Sequence, residues 1–137
     1  MVDSVFWDTH GFFAVLSSDD RAHQQASSLL KDFEAKKVRS VTSDWVIGET
    51  CTLLLMRKHA ALIPKFLKIL EQSKSFKQLH IEEDLFVASK KLFIQMLDHK
   101  LSFTDCTSIV LMKKLKLKKT VSGDRHFLVA GLEPLLA

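Results

Sequence analysis

Short apolar segments of strand length alternate with longer segments of helical periodicity, and this alternation constrains the fold of the chain more than any other feature. The segments predicted as strands are 4–8, 38–42, 76–81, 120–122 and, at an edge of the sheet, 132–135. The segments predicted as helices are a turn at 11–16, the ranges 19–36, 43–58, 60–73, 82–98 and 102–117, and a last short helix that begins at Asp124. This order predicts an α/β fold with a parallel sheet covered by helices on both faces.

The length and composition are those of one compact domain. The 137 residues are 47% hydrophobic and 26% charged, which is ordinary for a globular protein. Only 4 glycines and 2 prolines are present, and neither a repeat nor a low-complexity linker is visible. We therefore predict a single domain spanning residues 1–137.

The sequence carries no recognisable targeting signal. Its start contains Asp3 and Asp8 and lacks the basic residues that open a secretory signal. No apolar run approaches the roughly 18 to 20 residues that span a bilayer. Cys51 and Cys106 stand in apolar segments without the spacing of a zinc or redox motif, which favours buried thiols. We expect a cytoplasmic protein that does not enter a membrane.

Four acidic residues fall at the predicted carboxyl edge of the sheet. Asp8 ends the first strand, and Asp124 follows the fourth strand by two residues. Glu49 lies about two turns into the helix after the second strand, and Asp105 lies in the first turn of the helix that opens at Ser102. Right-handed crossovers place all strand carboxyl ends along one edge, where α/β sheets form their sites. We therefore expect these four carboxylates to meet.

Each acid also has a structural explanation that the sequence leaves open. Asp105 with Ser102 forms the S-x-x-D version of a capping box, and Asp124 suits the cap of the last helix. Asp8 suits the start of a loop, and Glu49 suits a solvent-facing helix position. Two observations favour a site instead, because Asp8 follows Val-Phe-Trp and Glu49 lies in a largely apolar helix. Acids seldom lie beside buried apolar segments without a partner.

The stretches around the four acids resemble those of the PIN domain family, in particular the small single-domain form of the VapC toxins of bacterial and archaeal toxin–antitoxin systems. The resemblance covers essentially the whole chain, and it is carried by VFWDTHGFFAVL, TSDWVIGETCTLL, LSFTDCTSI and VSGDRHF. It implies a three-layer α/β/α sandwich around a parallel sheet of about four or five strands. It also implies metal-dependent RNA cleavage, frequent homodimers and, in the toxin branch, inhibition by a small antitoxin protein.

Mg²⁺ or Mn²⁺ is the cofactor expected for this site, because both prefer oxygen ligands and both activate water for attack on a phosphodiester. The four acids are the predicted catalytic and metal-binding residues. Ser122 stands where the family commonly has a hydroxyl, and with Thr9 it is an auxiliary candidate; satisfying the local backbone is the other interpretation. Many relatives have Asn two residues after the first Asp. His10 stands there in this chain. A contact with a phosphate or the metal is one interpretation of His10, and a polar residue at a helix start is the one that we favour.

Basic residues are the candidates for binding RNA. The net charge of +4 and the pI of about 9.1 permit a polyanionic ligand without requiring one. Lys113 and Lys114 begin the run KKLKLKK, for which a solvated helix end is an equal alternative. Arg125 and His126 follow Asp124 directly and are further candidates for a phosphate contact.

Several other residues are assigned structural roles. Trp7 and Trp45 have apolar neighbours and are predicted to pack in the core. Ser43 or Asp44 is predicted to cap the helix that follows, which gives Asp44 a structural role. Asp3 is predicted to lie at the opposite end of its strand, and Asp98 to lie away from the site edge.

These features predict a divalent-metal-dependent endoribonuclease, the toxin of a type II toxin–antitoxin pair. A free-standing RNase of the same fold and a catalytically silent RNA- or protein-binding module are the alternatives. A phosphohydrolase with an aspartyl nucleophile is disfavoured, because His10 stands where that chemistry wants a second acid. We expect a homodimer formed through the apolar faces of residues 60–70 and 82–97.

Overall fold

The computed structural model describes residues 3–137, and it contains five strands that are all parallel. They are β1 Ser4–Trp7, β2 Arg39–Ser43, β3 Phe76–Leu79, β4 Lys119–Val121 and β5 Glu133–Pro134. Their order in the sheet is β3-β2-β1-β4-β5, so every strand ends at the same edge. The predicted α/β fold with a parallel sheet of four or five strands is confirmed.

Helices occupy the connections between the strands. They are α1 Thr9–Leu16, α2 His23–Ala35, α3 Asp44–Met56, α4 Ile63–Gln72, α5 Glu83–Gln95, α6 Phe103–Leu115 and α7 His126–Val129. Two 3₁₀ turns, Ala60–Leu62 and Leu97–His99, precede α4 and follow α5. Within the described residues, none of these helices is long and apolar enough to cross a membrane.

Strand β1 lies at the centre of the sheet and is covered on both faces. Val5, Phe6 and Trp7 are 2%, 0% and 1% exposed, and successive strand side chains point to opposite faces. On one face, the ring of Trp7 stacks on Phe12 of α1 and meets the edge of Phe76, both at 5.4 Å between centroids. The helices therefore form a layer on each side of the sheet.

Buried polar bonds fix the end of β1 against β2. The indole Nε1 of Trp7 donates a hydrogen bond to Ser40 Oγ at 3.0 Å. The hydroxyl of Thr42 donates to the backbone oxygen of Trp7 at 2.9 Å. Because both bonds are buried, a slip of the register would leave polar groups unpaired at a cost of about 1–3 kcal/mol each. The residue that follows Trp7 is thereby held at one position on the sheet edge.

Two helix starts differ from the sequence prediction for local reasons. Helix α1 begins at Thr9 rather than at residue 11, because Asp8 has the extended backbone of an N-cap. Helix α2 begins at His23 rather than at residue 19, because the Asp20 carboxylate accepts a hydrogen bond from the Ala22 amide and forms a turn. The edge strand is also shorter than predicted and covers Glu133–Pro134 alone.

Of the two residues predicted as the cap of α3, Ser43 and Asp44, the structure has Ser43 in that position. The hydroxyl of Ser43 caps α3 by accepting a hydrogen bond from the Val46 amide at 3.2 Å. Asp44 Oδ1 accepts hydrogen bonds from the Trp45 amide at 2.9 Å and from the Ile81 amide, 37 residues along the chain, at 3.1 Å. Asp44 therefore fixes the loop between β3 and α5, a long-range role that no local pattern announces.

The two tryptophans differ in burial. Trp7 is in the core, as predicted, with 1% of its surface exposed. Trp45 is half-buried against the rings of Phe86 and Phe103, at 6.0 and 5.2 Å between centroids. This aromatic cluster joins α3 to α5 and α6.

Glycine at position 11 lets α1 pack closely on β4. A Cβ atom at Gly11 would lie 2.3 Å from the backbone oxygen of Val121 and 3.1 Å from the Trp7 ring. Neither a strand carbonyl nor a buried indole can move away without disturbing the sheet. The close contact sets the distance between the residues that follow β1 and those that follow β4.

We predict that Gly11→Ala lowers the free energy of unfolding by about 1–3 kcal/mol, the usual cost of overpacking a core. Gly48→Ala in α3 is the matched control, because nothing lies within 4 Å of its added Cβ. Alanine there should raise the free energy of unfolding by about 0.5–1 kcal/mol through helix propensity. Urea unfolding measures both changes, and equal effects of the two substitutions would contradict the packing argument.

Candidate active site

A cleft of about 470 Å³ opens at the carboxyl edge of the sheet. All four acids named from the sequence line it, although they come from distant parts of the chain. They are Asp8 after β1, Glu49 in α3, Asp105 in α6 and Asp124 after β4. The structure thus brings the predicted carboxylates together.

Asp8 is the most deeply buried of these acids, with 4% of its surface exposed. Burial first, and then the charges of Asp105 and Glu49, raise the pKa of Asp8 from 3.8 to about 7. The Ser122 side chain and the Thr9 backbone lower the pKa of Asp8, but by less than burial raises it. One carboxylate oxygen, Oδ1, is buried without a hydrogen-bond partner. Asp8 is therefore costly to keep ionised in the absence of a cation.

Asp105 both caps its helix and faces the cleft. The hydroxyl of Ser102 accepts a hydrogen bond from the Asp105 amide at 3.0 Å, and Asp105 Oδ2 accepts one from the Ser102 amide at 3.1 Å. Burial, followed by the charges of Asp124 and Glu49, raises the pKa of Asp105 although the bonds to Ser102 lower it. Asp105 can cap its helix and face the cleft at the same time, because the capping box uses Oδ2 and does not involve Oδ1.

Asp124 forms a tight turn with the residue that begins α7. Its Oδ1 accepts a hydrogen bond from the His126 amide at 2.9 Å, so α7 begins at His126 rather than at Asp124 as predicted. The ring nitrogen Nδ1 of His126 lies 2.8 Å from the same oxygen. Ligand atoms of Asp105, Asp124 and His126 all lie within 4.8 Å of one another. His126, named from the sequence for RNA contact, thus lies beside the acids.

The two hydroxyl residues named as auxiliary candidates lie next to the acids. Ser122 is fully buried, and its Oγ accepts a hydrogen bond from the Asp124 amide at 3.1 Å. Its contact with Asp8 links the end of β1 to the loop after β4. Thr9 lines the cleft, is 6% exposed, and has no hydrogen-bond partner for its Oγ1.

His10 is a site residue whose contact the sequence did not reveal. Its Nδ1 accepts a hydrogen bond from the Gly123 amide at 2.9 Å, so the ring proton resides on Nε2. Nε2 lies 3.6 Å from Asp20 Oδ1, and both residues line the cleft. His10 therefore holds the loop that carries Asp124 against the start of α1. Its position two residues after Asp8 was the available signal.

Arg57 also lines the cleft and was not anticipated. The sequence signal is the spacing Glu49, Leu53, Arg57, which places the three side chains on one side of α3, and all three line the cleft.

The remaining basic candidates lie elsewhere. Lys113 and Lys114 are in the last turn of α6, whereas Asp105 is in its first turn. Lys114 Nζ lies 3.1 Å from Asp84 Oδ2 in an exposed ion pair. Arg125 donates hydrogen bonds to the backbone oxygens of Leu136 at 2.6 Å and Gly123 at 3.4 Å. These contacts tie Arg125 to the C-terminal segment.

The competing acids are outside the cleft. Asp3 lines a groove with Lys118 and Lys119 at the opposite edge of the sheet. Asp98 is exposed in the 3₁₀ turn after α5 and does not line the cleft. Both positions agree with the roles inferred from the sequence.

The residues of the cleft fit a divalent cation. Within residues 3–137, two buried side-chain oxygens of the cleft lack a hydrogen-bond partner, Asp8 Oδ1 and Thr9 Oγ1. Carboxylate oxygens are the ligands that Mg²⁺ and Mn²⁺ prefer, and an imidazole nitrogen also suits transition metals. A cation there would satisfy orphaned lone pairs and reverse the mutual repulsion of the acids.

Comparisons with known proteins agree with this geometry. The model of the PIN domain family matches residues 5–131. The 23S rRNA-specific endonuclease VapC20 of two Mycobacterium tuberculosis strains is 28% identical over 129 residues, which is 93% of this chain and 94% of each relative.

Two solved structures are also similar to the chain. The crystal structure of M. tuberculosis VapC20, described as a Sarcin-Ricin loop cleaving toxin, has a TM-score of 0.84 at 25% identity and covers 97% of this chain and 99% of its own. The crystal structure of FitAcB from Neisseria gonorrhoeae has a TM-score of 0.68 at 15% identity, with 96% of each chain covered, and supports the fold alone.

We predict that Asp8→Asn stabilises the protein in EDTA at about pH 8 but changes little at about pH 4. Between pH 3.8 and about pH 7, the Asp8 carboxyl is ionised in the unfolded chain and protonated in the folded protein. The folded state then binds more protons, so the free energy of unfolding falls as pH rises through this window, by up to a few kcal/mol. Asparagine removes that loss because it does not ionise.

Thermal unfolding at the two pH values measures this difference. Asp98→Asn is the control, because Asp98 is exposed and lies outside the cleft. A loss of stability in Asp8→Asn that is the same at both pH values would contradict the prediction.

Proposed function

The chain belongs to the PIN domain family, and from this premise we propose that it is a divalent-metal-dependent endoribonuclease that hydrolyses RNA phosphodiester bonds. The observation that carries the proposal is the convergence of Asp8, Glu49, Asp105 and Asp124 on one cleft, with buried lone pairs left unpaired. We also propose that residues 1–137 act as one nuclease domain. All four acids are present, which argues against a catalytically silent binding module.

Asp8, Asp105 and Asp124 would hold the metal directly, with Glu49 holding it or its waters. Mg²⁺ or Mn²⁺ in such a site polarises the phosphate and lowers the pKa of a bound water. The protein's part is to keep the carboxylates oriented. Ser102 fixes Asp105 through the capping box. The loop that carries Asp124 is held by two hydrogen bonds, one from the Asp124 amide to Ser122 and one from the Gly123 amide to His10.

A folded RNA hairpin of the ribosome is the substrate class that we propose. The support is the name of the relatives, 23S rRNA-specific endonuclease, and the description of the solved VapC20 structure as a Sarcin-Ricin loop cleaving toxin. We further propose that the chain is the toxin of a type II pair and is inhibited by a small antitoxin protein. A free-standing RNase is the second candidate, since a toxin and a free-standing RNase of this fold would have the same acidic cleft.

We predict that the purified chain cuts 23S rRNA and a synthetic sarcin–ricin hairpin with Mg²⁺ or Mn²⁺ and not with EDTA. Asp105→Asn should lower the rate by at least about 10- to 100-fold, the loss typical of a disturbed metal site. Asp98→Asn, an exposed acid outside the cleft, should cut like the wild type. Gel analysis of end-labelled RNA measures both rate and cleavage position.

The possible outcomes separate the candidate functions. Cutting that persists in Asp105→Asn and in EDTA would contradict the metal mechanism. RNA binding without cutting under any metal would favour the silent module. Normal thermal unfolding of Asp105→Asn is required for the comparison, because Asp105 also caps α6.

We propose that the chain forms a homodimer through apolar side chains left exposed on α4, α5 and the turn that follows. They are Leu67, Ile69, Val87, Ile94 and Leu97, at 37%, 48%, 52%, 68% and 58% exposure. A contiguous apolar patch is typical of an association surface, and these residues belong to the two segments that the sequence predicts to associate.

The prediction is a dimeric mass by light scattering at micromolar concentration, and a monomeric mass after Ile94→Lys together with Leu97→Lys. Leu128→Lys with Val129→Lys on α7 is the control, because these residues are similarly exposed, at 52% and 55%, but lie outside both segments. A monomeric wild type would refute the homodimer, and an equal effect of the control pair would refute its location.

A further inference from the structure

The cleft is strongly acidic, although its proposed substrate is a polyanion. Five carboxylate residues line it: Asp8, Asp20, Glu49, Asp105 and Asp124. Even with a bound dication, the surrounding carboxylates repel the phosphates on either side of the bond to be cut. A positive group at the rim would offset this repulsion and fix the path of the RNA backbone.

Arg57 is the only arginine or lysine among the described residues that line the cleft. It follows α3 as its C-cap residue, two turns after Glu49 and one turn after Leu53 on the same side of the helix. Its guanidinium carbon lies 5.9 Å from the centroid of the Phe13 ring. Phe13 is only 8% exposed, and the His59 ring meets it edge-on at 5.9 Å. The guanidinium therefore lies over the face of a buried ring, near the outer limit of a cation–π contact.

Arg57 forms no direct ion pair with the described acids of the cleft. Within the part of the chain that the structure describes, no carboxylate oxygen lies within 4.0 Å of its guanidinium nitrogens. Contact with an aromatic face uses the flat side of the guanidinium and leaves its N–H groups free at the edge. An arginine held in this way presents a planar fork of donors whose geometry matches two phosphate oxygens.

We propose that Arg57, supported by Phe13, is a backbone-phosphate subsite at the rim of the cleft, which binds an RNA phosphate next to the one that is cut. The inference rests on the proposed nuclease function and adds a residue that is not a metal ligand. Its role is to bind and orient the RNA, so its loss should act mainly on affinity and KM. Loss of one phosphate contact should also reduce the salt dependence of binding, by about 0.7 to 0.9 in the slope of log K against log salt.

The test compares Arg57→Gln with Lys58→Gln. Each substitution removes one positive charge, but Lys58 is exposed and does not line the cleft. Binding of a labelled sarcin–ricin hairpin is measured by fluorescence anisotropy over a salt series, with Ca²⁺ as the divalent cation because it accepts the same oxygen ligands. Cleavage with Mn²⁺ gives kcat and KM for the same variants, and Mn²⁺-dependent thermal stabilisation checks that the acids are undisturbed.

We expect Arg57→Gln to weaken binding and raise KM by roughly 10-fold, as for loss of a charged hydrogen bond, with little change in kcat. Arg57→Lys should fall between wild type and Arg57→Gln, since it keeps the charge but loses the fork. Lys58→Gln should change affinity less than about 2-fold, as for an exposed charge. Thermal stabilisation by Mn²⁺ should be the same in all variants.

Three results would overturn the subsite. Equal effects of Arg57→Gln and Lys58→Gln would show a general charge effect, and unchanged binding in Arg57→Gln would show no contact. Weaker binding with an unchanged salt slope would show contact with a base rather than a phosphate. Wild-type binding without cutting would refute the nuclease while leaving the subsite testable, so the two failures are distinguishable.

Discussion

The burial of the Asp8 carboxylate at the end of the central strand is the constraint on which the site depends. Asp8 follows three core residues and faces Asp105, so burial and repulsion raise its pKa to about 7. A fold selected for stability alone would place a neutral residue there, because an unpaired buried acid costs free energy. Two residues shape its surroundings: the Ser122 side chain lowers the pKa of Asp8, and Gly11 brings α1 close to β4.

The sheet and the acid positions were predictable because both depend on local pattern and simple topology. The run Val5-Phe6-Trp7 is buried on both faces of a strand, and such a run between helical segments indicates a parallel sheet. Parallel strands then bring residues from positions 8 and 124 to one edge whatever the details of the loops. The Ser102–Asp105 capping box was also readable, since its bonds span only three residues.

The remaining features depend on contacts between distant residues, which no local pattern carries. The bond from the Gly123 amide to His10 spans 113 residues, and the one from Ile81 to Asp44 spans 37. The same reason explains why Ser43 rather than Asp44 caps α3, because Asp44 is engaged by the loop before α5. Arg57 was not predicted as a site residue, because an arginine at the C-terminal end of a helix is explained by its favourable interaction with the helix dipole.

The separation of charge across the sheet follows from the direction of the helices. Helices α1 and α6 begin at the carboxyl edge, where their free N–H groups and positive dipole ends favour the carboxylates of Asp8 and Asp105. Helices α2 and α6 end just before β2 and β4, with Lys37 and Lys116 in left-handed conformation after the last turn. Helix dipoles thus stabilise acids at one edge and lysines at the other. The lysine run that begins in the last turn of α6 agrees with this polarity. Arg57 also follows the C-terminus of a helix, but it differs from the lysines because it lines the cleft together with the carboxylates.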